Sequence, residues 1–309
     1  MANNGQSQQQ RPTIKDVFAE YVPLLEKRSR VGGTVSHKSV YQPANDDTRE
    51  IVSQVVASLM LPGSTLLGFE NIRELYERSQ AGETGLIVSE HYSNFDLPSL
   101  FHLLQEKGEK GEEIARNIVA MAGAKLNEES KLVRAFAESF TRIVIYPVRA
   151  LQAISDPEEY AREHARSRSI NLAALREMVR QKNSGRMILV FPAGTRFRPD
   201  KPDSARGLPQ IDSYMKQFDY ICPIGIAGNL LLVNPNGDMS LDYPQEDLMV
   251  YKAGKLLDSR EFRKQAREDC PGGEDPKQFT VDRLMALLSE MHQEVAAARE
   301  KRLAELDRG

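Results

Sequence analysis

The sequence predicts an α/β fold built around one central sheet, with a helical N-terminal part. Three observations predict it. From Gly85 onward, apolar runs of strand length alternate with amphipathic helical patterns. Before that point, apolar residues recur mainly at helical spacing. The composition, 40% hydrophobic and 28% charged over 309 residues, is that of a globular chain long enough to bury a core without disulfides or a structural metal.

Residues 1–12 (MANNGQSQQQRP) are polar, lack the apolar stretch of a secretory signal and read as a disordered tail. Residues 13–80 form the helical N-terminal part. Val17, Phe18, Tyr21, Leu24 and Leu25 lie at helical spacing, and Ile72, Leu75 and Tyr76 mark a helix over Glu70 to Ser79. Gly32 to Asp47 reads as loop. The nineteen uncharged residues from Ile51 to Phe69 have the length of a membrane span, but Ser53, Gln54, Ser58, Pro62 and Gly63 argue for a buried helix over Ile51 to Leu61 instead.

Residues 81–309 form the α/β domain. Strands are expected at Leu86–Val88, Ile118–Met121, Ile143–Tyr146, Met187–Phe191 and Ile221–Ile226, several of them continuously apolar, as strands covered on both faces are. Helices are expected at Leu97–Glu106, Asn171–Lys182 (Asn171 as N-cap) and Ile211–Gln217. A long C-terminal helix starts at a Thr280 cap, follows Leu284, Leu288, Met291 and Val295, and gives way after Ala298 to a solvated charged end.

Three strand ends carry chemistry. The first strand runs into Glu90-His91-Tyr92-Ser93-Asn94-Phe95-Asp96. A turn there can fold Asp96 onto one nitrogen of His91 and leave the other free to take a proton, the logic of a general base. The bland reading is that Asp96 caps the following helix. The fourth strand runs into Phe191-Pro192-Ala193-Gly194-Thr195-Arg196-Phe197-Arg198. Gly194 lets backbone approach a ligand, and Arg196 and Arg198 offer planar donors suited to phosphate; a surface turn with solvated arginines is the alternative. The third is Arg142 to Arg149, and Lys125 follows another strand.

Charge separates function classes. The net charge of −3 argues against wholesale nucleic-acid binding. Yet Arg142 to Arg206 holds thirteen basic and seven acidic residues, which favours a small anionic ligand. Cys222 and Cys270 are isolated, and no Cys/His cluster exists, so neither a zinc site nor a cofactor is expected, and the compartment reads as reducing. A metal hydrolase with His91 and Asp96 as ligands is a third reading, but His37, His102, His164 and His292 show no ligand-like spacing. Nucleotide-loop and nucleophile-elbow motifs do not occur.

These residues resemble the glycerolipid acyltransferases. His91 and Asp96 match that family's His-x4-Asp motif, Phe191 to Arg196 is similar to its Phe-Pro-Glu-Gly-Thr-Arg block, Arg149 matches the Arg of the intervening block, and Cys222 to Ile226 resembles its late Pro-containing strand. Ala193 stands where the family has Glu. The soluble plastid-type glycerol-3-phosphate acyltransferases are more similar still. Gly194 to Asp200 follows their Gly-Gly-Arg-x-Arg-Pro-Asp block with one Thr for Gly, and the likeness spans about residues 85–235. The resemblance implies a mixed central sheet flanked by helices. It implies that His91 and Asp96 do the chemistry, and that Arg149, Arg196 and Arg198 hold a phosphate. Lys125, Gly194 and Thr195 complete the expected rim.

The implied activity is transfer of a fatty acyl group from an acyl carrier protein or coenzyme A thioester to the 1-hydroxyl of glycerol 3-phosphate, in phospholipid synthesis. The acyl chain is expected to lie against the Ile51 to Phe69 segment and the sheet face. Lysophosphatidate as acceptor, or a catalytically silent lipid- or carrier-binding protein of the same fold, are the alternatives. No transit segment is expected, and the location implied is cytoplasmic, with peripheral membrane contact.

Overall fold

Alternate residues of the apolar runs bury against opposite helical layers, as a pleated strand requires. The computed structural model describes residues 11–30, 34–128, 130–147, 150–151, 154–234 and 239–306. The N-terminal part contains α1 (Ile14–Val17), α2 (Tyr21–Arg28), β1 (Tyr41–Gln42), α3 (Asp46–Leu59), β2 (Thr65–Leu67) and α4 (Phe69–Gln80). There follow β3 (Gly85–Ser89), α5 (Asp96–Gln105), α6 (Glu109–Asn117), β4 (Ile118–Gly123), α7 (Lys125–Glu128), α8 (Lys131–Glu138), β5 (Arg142–Ile145) and α9 (Pro157–Asn183). The chain continues through β6 (Met187–Val190), α10 (Gln210–Met215), β7 (Tyr220–Ala227), β8 (Leu231–Leu232), β9 (Tyr243–Pro244), β10 (Val250–Ala253) and β11 (Leu257–Asp258). It closes with α11 (Ser259–Glu268) and α12 (Pro276–Leu306).

Among the described residues the main sheet has nine strands in the order β1-β5-β4-β6-β3-β7-β10-β2, with β11 also on β7. Its centre, β5-β4-β6-β3-β7, is parallel, whereas β1 pairs antiparallel with β5, β10 and β11 pair antiparallel with β7, and β2 pairs parallel with β10. The sheet is therefore mixed and flanked by helices, as the family resemblance implied. Ile87, Leu189, Cys222 and Ile224 face a core shared with α3, α5, α6 and α8; Leu86, Val88, Ile188 and Val190 face one shared with α9, α10 and α12. Each such side chain contributes about 1.5–3 kcal/mol when fully buried.

The connections decide where a ligand can sit. The chain leaves β3 and β4 toward one helical layer and leaves β6 toward the other. Crevices open at carboxyl ends where neighbouring strands part in this way. Moreover, β4 and β6 pair only from Ile118–Met187 to Ala120–Leu189, after which β4 runs on beside β5.

Several local expectations change. Asn171 lies inside the 27-residue α9 rather than capping a helix. Its amide bonds both backbone groups of Tyr146, at 2.8 and 3.0 Å, and so replaces a strand partner just past β5. Thr280 is also internal; its hydroxyl donates to the Pro276 carbonyl one turn back. The helix expected at Ile51–Leu61 starts earlier, where Asn45 accepts the Asp47 N–H. The charged C-terminal stretch stays helical to Leu306, and Arg299 is held by Asp247 and the Leu248 carbonyl. Among the described residues no helix is long and apolar enough to cross a membrane.

Candidate active site

The fully buried β3 delivers the chain to a turn that the Asp96 side chain organises. Asp96 is the first residue of α5 and is 1% exposed. Its carboxylate points backward, not forward into the helix. Oδ2 accepts the N–H of Tyr92 (2.6 Å), the N–H of Ser93 (2.9 Å) and His91 Nδ1 (2.9 Å), while Oδ1 accepts the Ser93 hydroxyl (3.0 Å). The helix-cap alternative is thereby corrected: the carboxylate is consumed by the turn. From below, the buried Tyr251 hydroxyl donates to the Asp96 carbonyl at 2.9 Å.

An ionised carboxylate only accepts, so it fixes the proton of neutral His91 on Nδ1 and leaves Nε2 as an acceptor. The ring is also stacked on Phe191 from the end of β6, with centroids 3.9 Å apart and planes 14° from parallel. A backbone bond joins the two strand-end turns, Phe197 N–H to the His91 carbonyl at 2.7 Å. Residues about a hundred positions apart are thus built into one site.

His91 lines a cavity of about 500 Å³ that is otherwise mostly apolar. Ala120, Met121, Ala122 and Gly123 all border it, and consecutive strand residues face opposite ways, so the cavity reaches both faces of the sheet. Leu97, Phe136 and Phe140 line it on one face, and Leu175, Leu208 and Ile211 on the other. The separation of β4 from β6 beyond Ala120, together with small side chains, leaves that passage open. The Ile51 to Phe69 segment, expected to flank the acyl chain, does not line it; Val52, Val55, Val56 and Leu59 pack in the core instead.

Gly194 also lines the cavity. It has φ +64°, and its N–H donates to Phe191 O at 2.9 Å, closing the turn after β6. A Cβ there would lie 2.7 Å from the Leu208 side-chain tip, which can move. The backbone carries the main cost, so Gly194→Ala should destabilise the protein by about 1–2 kcal/mol in denaturant unfolding.

The structure places the basic residues as follows. Arg196 pairs with Asp242, the two side chains being 13% and 1% exposed. Arg198 bonds Asp200 at 3.2 and 3.3 Å, and its N–H donates to Ser204. Both arginines flank Phe197 and so begin beside the His91 carbonyl, but neither lines the cavity. Thr195 lies on the same turn, and Lys125 opens α7 with an exposed side chain. Arg149 lies outside the described residues. The position of the family's Glu is held by a buried Ala193.

Sequence reasoning passed over Glu90, Tyr92, His292 and Asp242. The first two flank His91 and were readable as neighbours of the motif. His292, two hundred residues on, meets Tyr92 only through the fold. Cys222, fully buried in β7 with its thiol pushed up to about 12 by burial, is no nucleophile. Among the described residues, no three His, Cys, Asp or Glu side chains gather as a metal site.

Residues 68–227 match the model of the acyltransferase family. No curated protein matches the chain.

Proposed function

Because this chain belongs to the acyltransferase family, we propose that it moves a fatty acyl group from an acyl thioester to the 1-hydroxyl of glycerol 3-phosphate. The observation that carries this reading is an imidazole with one nitrogen held by a buried carboxylate at 2.9 Å, lining an apolar cavity of about 500 Å³. The first is a base without a nucleophile of its own, and the second suits an aliphatic chain.

His91 Nε2 takes the proton of the acceptor hydroxyl as its oxygen attacks the thioester carbonyl. Asp96 stabilises the imidazolium that forms. Collapse of the tetrahedral intermediate breaks the C–S bond, and the imidazolium returns its proton to the departing sulfur. The thioester is already activated, so no covalent enzyme intermediate is needed. The donor is carried by acyl carrier protein or coenzyme A.

Arg196 and Arg198, with Arg149 and Lys125, are the cations assigned to the acceptor phosphate. Asp242 occupies part of the Arg196 fork, and a guanidinium has five N–H donors, so others remain for a phosphate. Arg196→Lys keeps a cation opposite Asp242 but loses the fork. It should raise KM for glycerol 3-phosphate about tenfold, against little change for the thioester; equal changes would argue against a phosphate site there.

The extension of the cavity onto both faces of the sheet favours one second reading, lysophosphatidate as acceptor, with a chain on each side. Thioester consumption by purified protein with each acceptor, and with both carriers, decides between them. Consumption with neither would leave the silent binding protein.

A further inference from the structure

The residues on either side of His91 are unused by this mechanism, yet they are bonded as closely as those it uses. The chain leaves the sheet after Ser89, whose register partner on β7 is Ile224. The Glu90 N–H still reaches Ile224 O at 3.3 Å. The next ladder bond would join Ile226 N–H to the Glu90 carbonyl. Instead the Glu90 side chain takes that place, with Oε2 accepting the Ile226 N–H at 2.8 Å. On the far side of the same residue, the Ile226 carbonyl accepts His292 Nδ1–H at 2.8 Å.

These substitutes also bond each other. Tyr92 donates its hydroxyl to Glu90 Oε1 at 2.7 Å, and the Tyr92 hydroxyl oxygen lies 3.0 Å from His292 Nδ1. His292 Nδ1 is 3.4 Å from Glu90 Oε2. The Tyr92 N–H is one of the donors that fix Asp96. An unbroken chain therefore runs from α12 to the base: His292, Glu90, Tyr92, Asp96, His91.

We propose that Glu90 and His292 are positioning residues, a second carboxylate–imidazole pair that aims the His91–Asp96 dyad through Tyr92 and holds best while His292 is protonated. The proposal rests on the acyl-transfer reading. Glu90 is nearly buried whereas His292 is 39% exposed, so His292 exchanges protons with solvent while the carboxylate stays in place. The charged groups facing His292 are Glu90 and, through Tyr92, Asp96; β7 contributes the Ile226 carbonyl, and Glu294 on the same helix pairs with Lys252 of β10.

The bond to Glu90 raises His292 above the ordinary imidazole value, against a smaller opposing effect of burial. A raised value means that the charged pair persists to higher pH than an ordinary imidazole would allow and is lost as pH rises through that value. The base has the opposite requirement, since His91 must be neutral to accept a proton. Activity should then be bell-shaped in pH, its alkaline limb belonging to His292.

The test is kcat against pH for the full chain, Glu90→Gln and His292→Gln, together with ring titration of the histidines by NMR. Glu90→Gln should lower kcat between about ten- and a hundredfold, with KM for the thioester unchanged. His292→Gln, on a partly exposed helix face, should abolish the alkaline limb. His292 should titrate lower in Glu90→Gln than in the wild type. An alkaline limb retained in His292→Gln, or His292 titrating alike with and without the Glu90 carboxylate, overturns the proposal. A wild-type chain inactive toward every acceptor overturns the acyl-transfer reading, and the ring titration still decides the pair.

Discussion

His91→Ala is expected to lower the rate of acyl transfer by about a thousandfold while leaving the protein folded. General base catalysis contributes about 10²–10⁴-fold, and nothing else within the strand-end turn offers an unprotonated nitrogen in the cavity. Stability should change little, because the elements that hold the turn survive the substitution. Asp96 still accepts from the N–H groups of Tyr92 and Ser93 and from the Ser93 hydroxyl. The losses are the stack on Phe191, worth about 0.5–1.5 kcal/mol, and the His91 Nδ1 bond, one of four to the Asp96 carboxylate. Single-turnover consumption of the thioester, with a thermal melt of the same sample, checks both halves. Turnover within tenfold of wild type ends the base assignment.

Asp96→Asn should behave differently, losing activity and stability together. The amide keeps the shape of the carboxylate, but one of its two ends becomes a donor. Oδ2 alone accepts three bonds, two of them from backbone N–H groups with no other partner in the turn. If the amide oxygen stays with those N–H groups, the Ser93 hydroxyl faces an NH2; if it turns away, two N–H groups do. Hydrogen bonds to a charged group are worth about 1.5–3 kcal/mol each, so a loss of about 2–4 kcal/mol in denaturant unfolding is expected. Activity should fall at least a thousandfold, since without an anion the Nδ1–H tautomer and the imidazolium both lose their support. A variant with wild-type stability would mean that the turn is held elsewhere.

The two substitutions also separate chemistry from architecture. His91 is the consumer of the turn and Asp96 its organiser. The sequence suggested a catalytic role for both, with helix capping as the bland alternative for Asp96. The carboxylate points back to the turn and His91, not into the helix.

Some of this was legible in the residues alone. Five apolar runs gave five strands within about two residues, because a strand buried on both faces must be apolar at nearly every position. The motifs lay at strand ends, where α/β sheets gather ligands. The short edge strands β1 and β2 were missed: with two and three residues, they carry no periodicity to read. Asn171 was misplaced because a polar residue before an apolar stripe has the local signature of a cap, whereas its bonds go to Tyr146, twenty-five residues earlier.

By itself the sequence determined the layers, the strand ends and the kinds of side chain placed there, since burial periodicity and turn chemistry are local properties. The tertiary structure alone decided that Phe191 stacks on His91, that β4 and β6 part to open the cavity, that Arg196 meets Asp242, and that His292 reaches the turn around the base. Those are meetings between distant segments. They depend on strand order and on which way each crossover leaves the sheet, and neither is written in any short stretch of chain.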